Sequence, residues 1–202
     1  FLDELPEFPR ATLESLREPL ETGQVTLSRA ARQATYPARF LLVAAMNPCP
    51  CGYLGSRQRA CTCPPGAAQR YRQKLSGPLL DRIDLQIDVP AVDAASLLAA
   101  PVATDDSDTS ADAARRVAQA QDRALQRQGR LNGALDPAGI DAHCALGGSA
   151  QALLLEAARR FRWSARALHR VLRVARTIAD LAGHASVQAT DVAEAVQQRR
   201  SA

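Results

Sequence analysis

Two apolar runs, each ending abruptly on polar residues, constrain the fold of this chain more than any other feature. Phe1-Leu2 stops at the adjacent carboxylates Asp3 and Glu4, and Phe40 to Met46 stops at Asn47-Pro48. Buried parallel strands read as continuous apolar runs, and open α/β sheets bind ligands at the carboxyl ends of their strands. The two runs therefore predict strands of a parallel sheet whose polar ends face a common ligand. An Asp-Glu pair in that place suits a magnesium nucleotide: one carboxylate holds the hydrated metal and the other polarises a water. Asn47 is then placed to orient that water or to touch the terminal phosphate. A folded domain does not start on the last turn of a core strand, so the expectation is the C-terminal part of a longer protein.

The rest of the chain divides by pattern. Pro9 to Glu18 reads as a helix, with Leu13, Leu16 and Leu20 at helical spacing, Pro19 ending its regular part and Gly23 closing the segment. Val25 to Ser28 and Ala34 to Tyr36 read as a hairpin with Arg29 and Arg32 at its tip. Asn47 to Pro65 is a loop dense in Pro, Gly and Cys. A short helix over Ala67 to Leu75 follows, broken by Gly77-Pro78. Ile83, Leu85, Ile87 and Val89 alternate with polar residues, which predicts a half-buried strand ended by Pro90. From 113 onward the pattern is helical: 113–128, 150–161, 164–182 with an apolar stripe of Leu168, Val171, Leu172, Ala175, Ile178 and Leu181, and 190–198 with Thr190 as its N-cap. The predicted organisation is an α/β piece over 1–90, an acidic linker over 91–112 and a helical domain over 113–202.

Of the 202 residues 47 % are hydrophobic and 23 % charged, ordinary values for a soluble globular protein. No apolar stretch approaches the roughly 18 residues needed to span a bilayer, and no secretory signal is present. The expected location is the cytoplasm, with no membrane partner. The net charge of +4 is mild, but its distribution is segregated. Six basic residues and one acid lie between Arg57 and Arg82, five Asp and no base between Asp93 and Asp112, and seven Arg and no acid between Arg159 and Arg176. Codon composition explains an Arg bias as well as function does. The alternative is a polyanionic partner such as nucleic acid, because the planar guanidinium binds phosphate oxygens in pairs.

Cys49, Cys51, Cys61 and Cys63 form two C-x-C pairs within fifteen positions. In a cytosolic protein such clustering favours a tetrahedral thiolate zinc site over disulfides, with free thiols in a Pro-stiffened loop as the alternative. Cys144 stands apart and reads as structural, as do His143, His169 and His184, none of which has a partner at ligand spacing. Trp163 reads as packing.

The segments FLDELPEF, LLVAAMNPCPCG, LSGPLLDRIDL and SARALHRVLRVARTIADLAG resemble the magnesium-chelatase-like AAA+ ATPases, in particular their ComM- and YifB-like branch, from Phe1 to about Ala195. The resemblance implies an α/β fold, a partial AAA+ P-loop core on a parallel sheet followed by an all-α lid. It implies a hexameric ATP-driven DNA motor acting when incoming DNA is integrated. Residue by residue, it makes Asp3 and Glu4 the Walker B pair, with Asp3 near Mg²⁺ and Glu4 activating water, and Asn47 sensor 1. Arg82 becomes the arginine finger that reaches a neighbour's nucleotide, with a salt bridge to Asp81 or Asp84 as the plainer alternative. Arg166, after the N-cap Ser164, becomes sensor 2 on the ATP phosphates. The hairpin becomes a pore insertion, with Arg29 and Arg32 on the DNA backbone or, more plainly, in an exposed basic turn. The chain departs from the family in one respect: it contains no G-x-x-x-x-G-K-[ST] loop. Without that phosphate cradle, these residues alone are expected neither to bind ATP tightly nor to hydrolyse it. Two further functions fit the same residues: a chelatase-type subunit that remodels a protein partner for metal insertion, and a non-enzymatic helical interaction module.

Overall fold

The computed structural model describes residues 1–29, 32–92 and 109–199, without the side chains of residues 29 and 32. The acidic stretch over 93–108 and the side chains of Arg29 and Arg32 therefore lie outside the described residues. The chain divides into two compact units, Phe1–Ile83 and Asp84–Ala202.

In the first unit, Leu5, Leu13, Leu75 and Leu79 form the core, with Leu2, Phe8, Leu16, Leu20, Ala44 and Leu80 packed against them. Two short helices, α1 (Arg10–Ser15) and α2 (Arg17–Thr22), supply Leu13 and Leu20. The sequence predicts that Pro19 ends the regular part of one helix before Gly23 closes the segment, but the break falls earlier, at Leu16, and Pro19 is buried inside α2. It occupies that helix's first turn, where a missing N–H costs nothing because no carbonyl precedes it in the helix. Gly23 ends α2 at φ 68°, a left-handed conformation that suits glycine.

The hairpin forms as expected: β1 (Gln24–Arg29) pairs antiparallel with β2 (Arg32–Pro37), Val25 opposite Tyr36 and Leu27 opposite Ala34. Beyond the Cys-rich loop come α3 (Ala67–Arg72) and α4 (Gly77–Leu80). Gly77-Pro78, expected as a break, opens α4 instead: Ser76 caps it by accepting from Leu79 N–H, and Pro78 sits in its first turn.

A parallel sheet is not present among the described residues. The only sheet there is the two-stranded hairpin, and the two apolar runs meet in an isolated parallel bridge, Leu2 to Ala44. The two runs share one bridge rather than a ladder, and Leu41 stays 86 % exposed. The alternating run from Ile83 to Val89 is likewise not a strand. Gln86 N–H donates to Gln198 O at 2.8 Å, and Ile87 and Val89 stay exposed. Alternation selects a face only where a neighbouring strand completes the ladder.

The second unit is helical: α5 (Ser110–Gln128), α6 (Pro137–His143), α7 (Gly148–Arg160), α8 (Ala165–Ala182) and α9 (Ala189–Gln197). A capping box between Thr109 and Asp112 starts α5, and Ser164 starts α8 by accepting from Ala167 N–H. Asp136 caps α6, a helix the sequence pattern does not announce, by accepting from Gly139 N–H. The cap of α9 is Gln188 with Asp191, two residues earlier than the expected Thr190. The core joins α6 to α9 through Ile140, Leu154, Val171, Leu172, Ala175, Ala179, Val187 and Val192. The α8 stripe runs as predicted through Ile178, while Ala179 and Asp180 also turn inward and Leu181 stays 46 % exposed.

Asp180 is 1 % exposed, and its carboxylate gathers three elements. Arg127 of α5 donates to both oxygens at 2.6 and 2.9 Å, Asn132 donates at 2.7 Å, and Arg176, one turn earlier on α8, donates at 3.0 Å. Arg123 also donates to the Asp180 carbonyl. A buried charge held by this many donors is satisfied, as buried polar groups must be.

Candidate functional site

The two apolar runs are joined by three backbone hydrogen bonds. Leu2 N–H donates to Val43 O at 2.9 Å, Ala45 N–H to Leu2 O at 2.8 Å, and Leu5 N–H to Ala45 O at 3.0 Å. Ala45 thus grips Leu2 and Leu5 with its two backbone groups, and Asp3-Glu4 loop out between them. Leu5 is buried in the core and Pro6 continues a 3-10 turn, so the loop cannot relax forward. The constraint shows in Glu4, whose φ of 50° is left-handed; Arg162 is the only other described non-glycine residue with positive φ. Such a conformation costs on the order of 1 kcal/mol for a residue with a Cβ, and it concentrates at sites that need a side chain aimed. Asp3 accepts from Glu4 N–H at 2.9 Å; Asp3, Glu4 and Asn47 lie in turn or loop backbone, and Asp3 and Asn47 are solvent-exposed. Asn47 follows Ala45 by two residues, so the bracket brings the acidic pair alongside the segment carrying the amide.

The other predicted residues lie elsewhere. Arg82 belongs to the first unit, where its Nε donates to Arg17 O at 3.1 Å and another nitrogen to Pro78 O at 2.6 Å. It also pairs with Glu21 at 2.9 Å and its side chain is 12 % exposed. Asp84 pairs with Arg170 of α8 at 2.6 Å. Arg166 lies in the first turn of α8, exposed, in the second unit. Arg29 and Arg32 face each other in the hairpin register next to its tip.

The four clustered cysteines converge. Their Sγ atoms all lie within 4.8 Å of one another. Cys49 is 3.4 Å from Cys51 and 3.8 Å from Cys61, and Cys51 is 3.5 Å from Cys61. These separations are far too long for disulfides, whose sulfurs sit about 2.05 Å apart. They match the edges of a thiolate tetrahedron, about 3.8 Å for a metal–sulfur bond of about 2.3 Å. The loop provides the arrangement locally: Gly52 N–H closes a turn on Cys49 O at 2.9 Å with Pro50 inside it, which brings the first two thiols together. Backbone amides also point at the sulfurs. Leu54 N–H donates to Cys49 Sγ at 3.3 Å, and a backbone hydrogen bond from Tyr53 draws the Cys51 thiol pKa down to about 5 against the opposing effect of burial. The donor set can hold a metal ion.

Tyr71 is a residue that sequence reading misses. It lies on α3, 5 % exposed, close enough to the Asn47 backbone for that backbone to lower its hydroxyl pKa. Burial raises its hydroxyl pKa, and the charge of Glu7 and, more weakly, of Glu4 and Cys49 adds to that, which puts Tyr71 near both the acidic loop and the thiols. A single Tyr in a short basic helix gives no signal of its own; only the fold reveals its neighbours.

Comparison with known proteins bears on all of these groups. The family model described as magnesium chelatase, subunit ChlI, matches residues 1–97, and that described as magnesium chelatase, subunit ChlI C-terminal, matches residues 107–199. Competence protein ComM of Haemophilus influenzae is 42 % identical over 200 residues, which are 98 % of this chain and 38 % of that protein. YifB of Escherichia coli, described as uncharacterised, is 44 % identical over 200 residues with the same coverage. An uncharacterised protein of Mycobacterium tuberculosis is 38 % identical over 205 residues, 100 % of this chain and 39 % of its own length. The chain thus spans little more than a third of the length of these relatives. Matched almost end to end by the two models and by these relatives, the chain belongs to the magnesium-chelatase-like family, on its ComM- and YifB-like side.

Proposed function

We propose that this chain serves an AAA+ ATPase, a hexameric ATP-driven DNA motor of the helicase or branch-migration type that works in the cytoplasm during DNA uptake and recombination. The observation that carries the reading is the bracket at Ala45, which loops Asp3-Glu4 out beside the Asn47 segment and holds Glu4 in a left-handed conformation. The carboxylates suit Mg²⁺, which keeps most of its waters and takes one or two protein oxygens. When bound, Mg²⁺ and ATP supply a phosphoryl group whose developing charge is neutralised by the metal. The protein's own part is positional. Asp3, with its own carboxylate steadied by Glu4 N–H, accepts hydrogen bonds from the metal's water shell. Glu4 takes the proton of the attacking water, and Asn47 orients that water. Arg82 acts on the nucleotide of a neighbouring subunit and Arg166 on the ATP phosphates. The four thiols hold a structural zinc ion.

DNA as the cargo rests on the competence relative, on the basic blocks and on the hairpin, where Arg29 and Arg32 contact the phosphate backbone. The family models' description favours a second reading, a chelatase-type subunit that remodels a protein partner for metal insertion. The ATPase rate of the full-length protein separates the two. A DNA motor hydrolyses ATP several-fold faster with single-stranded or forked DNA, whereas an unchanged rate removes DNA from the reading. A non-enzymatic helical interaction module remains the outcome if the full-length protein shows no ATPase activity at all.

A further inference from the structure

The loop from Asn47 to Pro65 has no helix or strand and contributes no side chain to either apolar core. A stretch of that length inside a folded unit needs another source of order. Apart from the sulfurs, its contacts are local: the Cys49–Gly52 turn, a second turn with Ser56 N–H on Tyr53 O at 3.0 Å, Gln58 and Arg59 N–H on Ser56 Oγ at 3.2 and 3.3 Å, and Arg59 over the Tyr53 ring at 4.4 Å with a bond to its hydroxyl at 3.1 Å. Yet Cys49 is completely buried, and the loop's two ends meet at the four sulfurs. Asn47 is the residue that gains from this order. A Cβ placed on Gly52, the last residue of the turn, would lie 3.9 Å from Asn47 Oδ1, so the turn's backbone passes close beside the amide. The exposed amide therefore lies against a turn whose shape depends on where Cys49 and Cys51 are pinned.

We propose that a zinc ion on Cys49, Cys51, Cys61 and Cys63 is the device that positions Asn47. This goes beyond the zinc reading above, on which it rests, by giving the metal a specific role. It replaces the missing apolar core of the loop and fixes the turn against the amide. Zinc suits this role because four thiolates close its coordination shell, leaving no open position for chemistry. Asn47 is a positioning partner of the nucleotide site, and the zinc acts only through it.

The test uses the full-length protein purified without chelator. Elemental analysis is expected to give about one zinc per chain and no iron. Removing the metal from the intact protein with a strong chelator under reducing conditions is expected to speed amide exchange over residues 46–54 about tenfold or more, while α8 keeps its protection as an internal control. In steady-state assays the stripped protein is expected to keep its KM for ATP within about twofold and lose about tenfold in kcat. A Cys61→Ser, Cys63→Ser double variant repeats the exchange result without chelator. Absence of zinc, or iron in its place, overturns the assignment. Zinc that can be removed with no change in exchange at 46–54 overturns the positioning role. If the protein proves to lack ATPase activity while zinc content and exchange behave as stated, the motor reading fails and the metal clip stands.

Discussion

Replacing Asp180 tests the physical account of the helical unit most severely, because one carboxylate there collects four charged or amide donor contacts. Asp180→Ala leaves Arg176, itself 2 % exposed, with no carboxylate partner and strips Arg127 and Asn132 of theirs. Arg176 keeps its bonds to the Ala185 and His184 carbonyls at 3.1 and 2.7 Å, which limits the loss. Breaking one side of a buried ion pair costs about 3–5 kcal/mol, and a unit of this size loses about 4 °C of melting temperature per kcal/mol. Calorimetry of the variant should therefore show the second unit melting roughly 12–20 °C lower. The pH dependence follows from the same geometry. Burial opposes ionisation of Asp180, but the bonds from Arg127 and Asn132 and the Arg176 charge prevail, so its pKa lies below the ordinary aspartate value. A group depressed in the folded state contributes stability at pH values above the unfolded pKa and loses it as pH falls through the folded value. The wild-type unit should hold its melting temperature down to about pH 5 and lose it below about pH 4, and the variant should lose less over that range. A melting shift below about 4 °C at neutral pH would defeat this explanation, since a satisfied buried charge cannot be that cheap to break.

Two further predictions concern the arginines. Arg82→Ala in the full-length protein should lower ATP hydrolysis by on the order of 10³ if Arg82 is the finger. Losing its Glu21 pair and two carbonyl bonds should cost only about 1–3 kcal/mol of stability, read by denaturant titration. A stable variant with full activity removes Arg82 from the site. Changing Arg29 and Arg32 together to Ala should reduce the slope of log affinity for DNA against log salt by about two, one for each phosphate contact. An unaltered slope in a filter-binding or anisotropy assay excludes the hairpin from DNA contact.

The helical unit is largely legible in the sequence because its elements carry their own periodicity and, at Ser164, a cap; the Thr109–Asp112 capping box, read as part of the acidic linker, starts α5 at Ser110 rather than at the expected 113. Asp136-Pro137 is an equally local signal, a capping residue before a first-turn proline, but the helix it opens is too short to show a period. Pro19 misleads because proline forbids a helix interior but not a first turn, and a second helix start is invisible when the first has no clear stop. The parallel sheet does not follow from its apolar runs: strands exist only with partners, and a run says nothing about whether a partner is at hand. The site shows the same division. The cysteine cluster and the Asp3-Glu4 pair are visible as local patterns. Glu21 as the partner of Arg82, and Tyr71 beside Asn47, depend on contacts between distant segments that no spacing encodes.

Whether the looped-out acidic pair faces a nucleotide decides the rest of the proposed mechanism, and Glu4→Gln in the full-length protein addresses it with a single atom change. The amide keeps the side chain's size but cannot take a proton from water. ATP binding, measured by fluorescent-analogue titration, should stay within about threefold of wild type, while single-turnover hydrolysis should fall by at least about a hundredfold. Hydrolysis at the wild-type rate in a variant that binds ATP normally would take Glu4 out of the chemistry and the motor reading with it.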